Sequence, residues 1–139
     1  MIPVLIDTNV VLDYAEEREG FFEMAKKVFE MIRQREMIGC VSASAVTDIF
    51  YFLQRRYRKP GVAMSLLKKL TRLLKILMVN HETIEIAIES DMTDFEDAVQ
   101  TAAAKDCGID IVVTRDKEGF RNSGLRVYLP EDFLETLKK

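Results

Sequence analysis

The chain has 139 residues, 48% of them hydrophobic and 31% charged, with a formal net charge of −3. This balance suits a single folded domain over residues 1–139, excludes disordered, collagen-like and low-complexity classes, and taken as a total argues against a dedicated basic nucleic-acid binder. No apolar run approaches the ~18 residues of a membrane span, and Asp7 closes the N-terminal apolar run too early, with no basic flank, for a leader peptide, so a cytoplasmic location is expected.

Along the chain, Val4–Ile6 is a short β-favouring run ending in Asp7, and Asn9–Tyr14 reads as a short helix. Phe21, Ala25, Val28 and Ile32 recur at helical spacing and predict an amphipathic helix over 20–35, with Gly39 as its stop and Cys40-Val41 as a short strand. Ser44 is the expected N-cap of a helix to about Tyr57, and Pro60 the expected start of another to about Leu74. In that helix Leu66, Leu70, Leu73 and Leu77 form an apolar stripe, and Ile76–Val79 follows as a strand. Asn80 caps a helix over 82–90. Thr93 with Glu96 has the capping-box pattern and opens a helix that Gly108 closes. Ile109–Thr114 and Leu125–Leu129 are strands, and Pro130 starts a terminal helix. Helices alternate with single strands and no hairpin signal appears, which predicts an α/β fold with a parallel sheet covered on both faces.

In such a sheet the ligand crevice lies beyond the carboxyl ends of the strands. Asp7 and Asp116 fall there. Asp94 and Asp97, three residues apart, share one face of a helix's first turn, and Asp48 lies mid-helix among Val46, Ile49 and Phe50. Two carboxylates ~5 Å apart repel by roughly 3 kcal/mol at an effective dielectric of ~20. Summed over a group of such acids, that repulsion rivals the ~5–15 kcal/mol stability of a whole domain. A cluster of this kind persists by protonation or by binding a cation. Its all-oxygen donors select Mg²⁺ or Mn²⁺, ions that acidify water and assist in-line displacement at phosphorus without a histidine.

Other chemistries find less support. Cys40 and Cys107 make neither a disulfide framework nor a zinc site, and His81, the sole histidine, stands at a helix start. No phosphate-binding glycine loop is present. From Ile49 to His81 the chain holds eight basic residues and no acid, leaving −11 on the remainder. Arg55, Arg56 and Lys69 lie in this segment with Tyr51 and Tyr57 interleaved, a pattern suited to a phosphodiester strand with stacked bases.

Leu5-Ile-Asp7-Thr8-Asn9-Val10-Val11-Leu12 resembles the opening strand of PIN-domain ribonucleases. Thr47-Asp48-Ile49 is similar to that family's second acidic position, Asp94-Phe-Glu-Asp97-Ala98 to its helical acidic motif, and Val113-Thr114-Arg115-Asp116-Lys117 to its last strand-end motif. The resemblance covers nearly the whole chain, with the motifs in order. It implies a three-layer fold around a five-stranded parallel sheet. It also implies that Asp7, Asp48, Asp97 and Asp116 hold Mg²⁺ or Mn²⁺ with Asp94 auxiliary, and that Thr8, Asn9 and Thr114 orient the ligands. The implied activity is endonucleolytic cleavage of RNA. Small members of this kind are often VapC-type toxins, dimeric and neutralised by a cognate antitoxin protein. Two departures stand out: Asp48 where Glu is commoner, and Gly119-Phe120 where relatives often carry Asp-Phe. The rival readings are another Mg²⁺-dependent phosphoryl-transfer α/β protein and a non-catalytic module of the same fold. The first lacks the acidic pair and the lysine that phosphatase or receiver domains use.

Overall fold

The computed structural model describes residues 1–138. Its elements run β1 (Ile2–Ile6), α1 (Thr8–Ala15), α2 (Phe22–Arg33), β2 (Met37–Ser42), α3 (Ala43–Arg56), α4 (Val62–Leu73) and β3 (Lys75–Leu77). They continue through α5 (His81–Glu89), α6 (Phe95–Asp106), β4 (Ile111–Val113), a 3-10 turn at Glu118–Phe120, β5 (Arg126–Tyr128) and α7 (Pro130–Thr136). The five strands form one sheet in the order β3-β2-β1-β4-β5, and every pairing is parallel.

Pleating sends alternate residues to opposite faces. Val4 and Ile6 of β1, Val41 of β2, and Ile111 and Val113 of β4 pack with α1, α2, α3, α4 and α7. Leu5, Cys40, Leu77 and Val112 face the other way, onto Ala103 and Ala104 of α6 and onto Phe120. Helix α5 is joined to α6 through Ala87, Ala98 and Val99. The expected three-layer α/β architecture is therefore present. The chain leaves β1 to build β2 and β3 on one side and returns as β4 and β5 on the other. The point where the strand order reverses lies between the carboxyl ends of β1 and β4, the place where an open α/β sheet opens a crevice.

Several boundaries differ from the sequence expectation for local reasons. Gly39 does not stop a helix; it lies inside β2, paired with Val4. A Cβ there would collide with Ile32 Cδ1 and stand 3.1 Å from Leu74 Cδ2, so the missing side chain lets α2 and the end of α4 settle onto the sheet. The turn after α2 is made instead by Arg35 at φ 60°. Helix α3 is capped by Ser42, whose Oγ accepts from Ala45 N–H at 3.3 Å, while Ser44 bonds Ser42 at 2.8 Å. Helix α4 begins at Val62 behind Gly61, which sits at φ 82°. The leucine stripe ends at Leu73, because Leu77 belongs to β3 and faces the opposite layer. Asn80 caps α5 as expected, with Thr83 completing a capping box. Helix α6 is capped by Asp94 rather than Thr93.

Candidate active site

Asp7 leaves β1 in extended conformation and caps α1. It is 5% exposed, yet three donors converge on its carboxylate: Thr8 N–H and Gln100 Nε2 give to Oδ1 at 2.8 and 3.3 Å, and Thr114 Oγ1 gives to Oδ2 at 2.7 Å. Burial pushes its pKa up, the three hydrogen bonds oppose that, and the charge of Asp116 adds to the rise. Thr114 is fully buried and does double duty, since its Oγ1 also accepts from Asp116 N–H at 2.9 Å. Asn9 Oδ1 accepts from Arg115 N–H at 3.4 Å. The segment after β4 is thus tied to the start of α1, and Thr8 joins through its backbone N–H.

Asp97 stands in the first turn of α6 and is 9% exposed. Its carboxyl is pushed up to about 8, first by burial and then by the charges of Asp7, Asp94, Asp116 and Glu96. Asp94 Oδ1 accepts from Asp97 N–H at 3.0 Å, so this acid serves the helix cap while facing the same cluster. Asp116 is exposed and accepts from Gly119 N–H at 3.1 Å. A Cβ on Gly119 would collide with Asp97 Oδ2 and stand 2.8 Å from Asp116 Oδ2. Glycine at this departure from the family pattern therefore removes one acid and lets two others close around its Cα.

Asp48 is half-buried on α3, and its carboxyl faces that of Glu96, near enough for one proton to be shared between them. Two carboxyl groups hydrogen-bond only through a shared proton. The Glu96 pKa accordingly rises to about 7, led by that bond, then by burial and by the charges of Asp48, Asp94 and Asp7. Asp7, Asp97 and Asp116 thus come together directly, and Asp48 reaches the cluster through Glu96. Sequence reading assigned Glu96 only to a cap. The available signal was its place between Asp94 and Asp97, opposite an Asp48 one methylene shorter than the family's usual residue.

A second omission lies behind the cluster. Asp13 is 1% exposed and accepts from Arg115 Nε at 2.6 Å and Nη2 at 3.2 Å. The Arg115 guanidinium also stacks 3.8 Å above the Phe21 ring, and Arg18 stands 3.7 Å from Asp13. Arg115, between Thr114 and Asp116, is committed to this pair rather than to the neighbouring carboxylates.

The basic residues do not gather at the cluster. Arg55 and Arg56 lie seven and eight residues beyond Asp48 on α3, roughly 10 Å further along the helix axis. They rest over Tyr51 and Tyr57 at 5.6 and 5.3 Å. Lys69 lines a separate groove of about 440 Å³ with Tyr14, Phe22, Leu66, Leu70 and Leu73, bounded by Arg33 and Arg72.

The sequence profile of the PIN domain matches residues 3–118. The chain belongs to the PIN-domain family. Ribonuclease VapC1 of Aquifex aeolicus (strain VF5) is 26% identical over 137 residues, covering 95% of this chain and 93% of that protein. Among solved structures, DNA-bound VapBC from Salmonella typhimurium superposes with a TM-score of 0.69 at 18% identity, covering 94% of this chain and 99% of that one. The Mycobacterium tuberculosis VapC20 structure, described as a sarcin-ricin loop cleaving toxin, gives a TM-score of 0.61 at 18% identity over 78% of this chain and 86% of that one. These structural likenesses show the PIN fold.

The PIN-domain cluster offers only carboxylate and amide oxygens to a ligand, which fits a hard divalent cation. Among the described residues no group of three or more His, Cys, Asp or Glu side chains is placed so that it holds an ion as it stands. Gly119 leaves the space between Asp97 and Asp116 unblocked by a side chain. Among the described residues no helix is long and apolar enough to cross a membrane.

The raised Asp97 pKa has a consequence for stability. Between the unfolded value of ~3.9 and about 8, the folded chain binds a proton that the unfolded chain does not, so stability falls as pH rises through this window, by up to ~1.4 kcal/mol per pH unit. In EDTA the melting temperature should drop by several degrees from pH 5 to pH 9. The decline should flatten in Asp97→Asn. Calorimetric scans of both proteins across that range test this, and a wild-type melting temperature that rises with pH would contradict it.

Proposed function

We propose that this PIN-domain protein is a Mg²⁺- or Mn²⁺-dependent endoribonuclease that hydrolyses RNA phosphodiester bonds, acting through residues 1–139 as one nuclease domain. The observation that carries this reading is the grouping of carboxyls around Asp97, whose burial, together with the charges of Asp7, Asp94, Asp116 and Glu96, pushes its carboxyl up to about 8. Asp7, Asp48, Asp97 and Asp116 are the proposed ligand set, with Glu96 and Asp94 beside them. When bound, the cation offsets phosphate charge and supplies a water of lowered pKa. The chain's own residues prepare that event. Thr114, Gln100 and the Thr8 N–H fix the Asp7 carboxylate in one orientation. The Asp13–Arg115 pair and Asn9 hold the strand-end segment that carries Asp116. Asp97 surrenders its proton as the site fills. In the net reaction, water oxygen bonds to phosphorus, the bridging P–O bond breaks, and the departing oxygen receives a proton. The likeness to Ribonuclease VapC1 of Aquifex aeolicus supports ribonuclease activity.

The same reading takes the protein as the toxin of a toxin–antitoxin pair in the cytoplasm, a homodimer held in check by a cognate antitoxin. The VapBC relative supports the partner. The groove beside Lys69, apolar within and lined at its edge by Glu17 as well as Arg33 and Arg72, suits a partner segment with apolar side chains. The direct test of activity is incubation of RNA with purified protein. Cleavage should vanish in excess EDTA and return with added Mg²⁺ or Mn²⁺, and undiminished cleavage in EDTA would sink the proposal.

Arg55, Arg56 and Lys69 remain the proposed RNA contacts away from the carboxylates. Changing all three to Ala should weaken affinity and reduce the salt slope by up to ~0.7 per lost contact on a single strand, with cleavage persisting at saturating RNA. A salt titration of RNA affinity measures this. An unchanged slope would mean that the strand runs elsewhere.

A further inference from the structure

One buried polar atom beside the carboxylates has no partner. Gln100 is 4% exposed, and its Nε2 donates to Asp7 Oδ1 at 3.3 Å. Its Oε1 is buried and takes part in no hydrogen bond among the described residues. A buried amide acceptor without a donor destabilises a fold, and native structures rarely retain one without a use. The position specifies where that use lies. Gln100 follows Asp97 by three residues on α6, so both project from one helix face. The two polar atoms of an amide are ~2.3 Å apart, which keeps Oε1 within about 5.6 Å of Asp7 Oδ1. That upper bound is the span of one water bridging two groups by hydrogen bonds of ~2.8 Å. Ionised carboxylates only accept, and the protonated Asp97 makes no bond to Gln100 Oε1 among the described residues, so once a cation has displaced that proton the donor for Oε1 arrives with the ligand.

We propose that Gln100 is a positioning residue for the cation site: Nε2 holds Asp7, and Oε1 accepts a hydrogen bond from a water that enters with the divalent cation. This rests on the cation-dependent reading of the cluster. A small hard cation keeps several of its waters when proteins bind it, and each carries donors that need acceptors. Partners of this outer kind are worth ~10–100-fold in metal affinity. They also explain why an atom unpaired in the protein alone sits one helical turn beyond Asp97.

The test uses the full chain with Mn²⁺ as the probe. Equilibrium Mn²⁺ binding is followed by electron paramagnetic resonance, and water-proton relaxation reports the waters on bound Mn²⁺. Gln100→Met and Gln100→Leu remove both polar atoms at similar volume. Both should bind Mn²⁺ ~10–100-fold more weakly and alter its relaxation signature. Their metal-free melting temperature should shift little, since removal of the unpaired acceptor opposes loss of the Nε2 bond to Asp7. A purely structural glutamine gives the reverse: both variants melt lower, and their folded fraction binds Mn²⁺ as the wild type does. That result overturns the proposal, as does wild-type affinity with unchanged melting. Failure of the wild-type protein to bind Mn²⁺ would overturn the cation-dependent reading itself, and this inference with it.

Discussion

Asp97→Asn is expected to cut RNA cleavage at least ~100-fold, about 2.7 kcal/mol of barrier, while RNA affinity holds or tightens. The substitution preserves size and helix position but removes the charge that the site must present to a cation. Asp97 is buried among the charges of Asp7, Asp94, Asp116 and Glu96, so replacing it also relieves repulsion wherever it is ionised. Above about pH 8, where the metal-free Asp97 is ionised, an RNA phosphate then meets one negative charge fewer, and below it the affinity holds. Single-turnover cleavage and filter binding on the same RNA separate the two effects. Cleavage within a fewfold of wild type would remove Asp97 from the chemistry.

Arg115→Ala is expected to lower stability by about 2–3 kcal/mol. Breaking a buried ion pair from one side costs ~3–5 kcal/mol, because the remaining charge stays desolvated and unpaired. Here Asp13 is 1% exposed, but Arg115 is 29% exposed and Arg18 remains 3.7 Å away, which places the loss at or below the lower end. Arg115 also lies between Thr114, which bonds Asp7, and Asp116, so cleavage should fall ~10-fold even where the variant is fully folded. Urea denaturation gives the first quantity and single-turnover assays give the second. A stability change under ~0.5 kcal/mol would show that Asp13 keeps adequate partners without Arg115.

The two acids that the topology must place at the strand ends were legible in the sequence. Asp7 ends a β-favouring run and Asp116 follows another, and a parallel α/β sheet puts both at the carboxyl edge. Asp97 was legible as a first-turn acid on a helix that an α/β fold lays across the sheet. What stayed hidden depends on contacts between distant elements. Asp48 and Glu96 meet only because α3 and α6 pack together, and Asp13 finds Arg115 across about a hundred residues. Gln100 belongs to no motif in its alanine-rich helix, and only the packing of α6 against β1 brings its amide to Asp7. Local chemistry also misled. Thr93 and Glu96 match the capping-box pattern, yet Asp94 takes the cap, because a shorter carboxylate one residue later reaches Asp97 N–H. Gly39 has the composition of a helix stop but serves as the bare patch of strand on which Ile32 rests.

We propose that these carboxylates hold one divalent-cation centre at the carboxyl edge of β1 and β4. The most direct measurement is an anomalous difference map from crystals equilibrated with Mn²⁺. A peak is expected among Asp7, Asp97 and Asp116, with Asp48 or Glu96 at its margin and Gln100 Oε1 within reach of an ordered water beside it. A map with no peak among these residues at saturating Mn²⁺, or a peak at a site remote from Asp97, would contradict it.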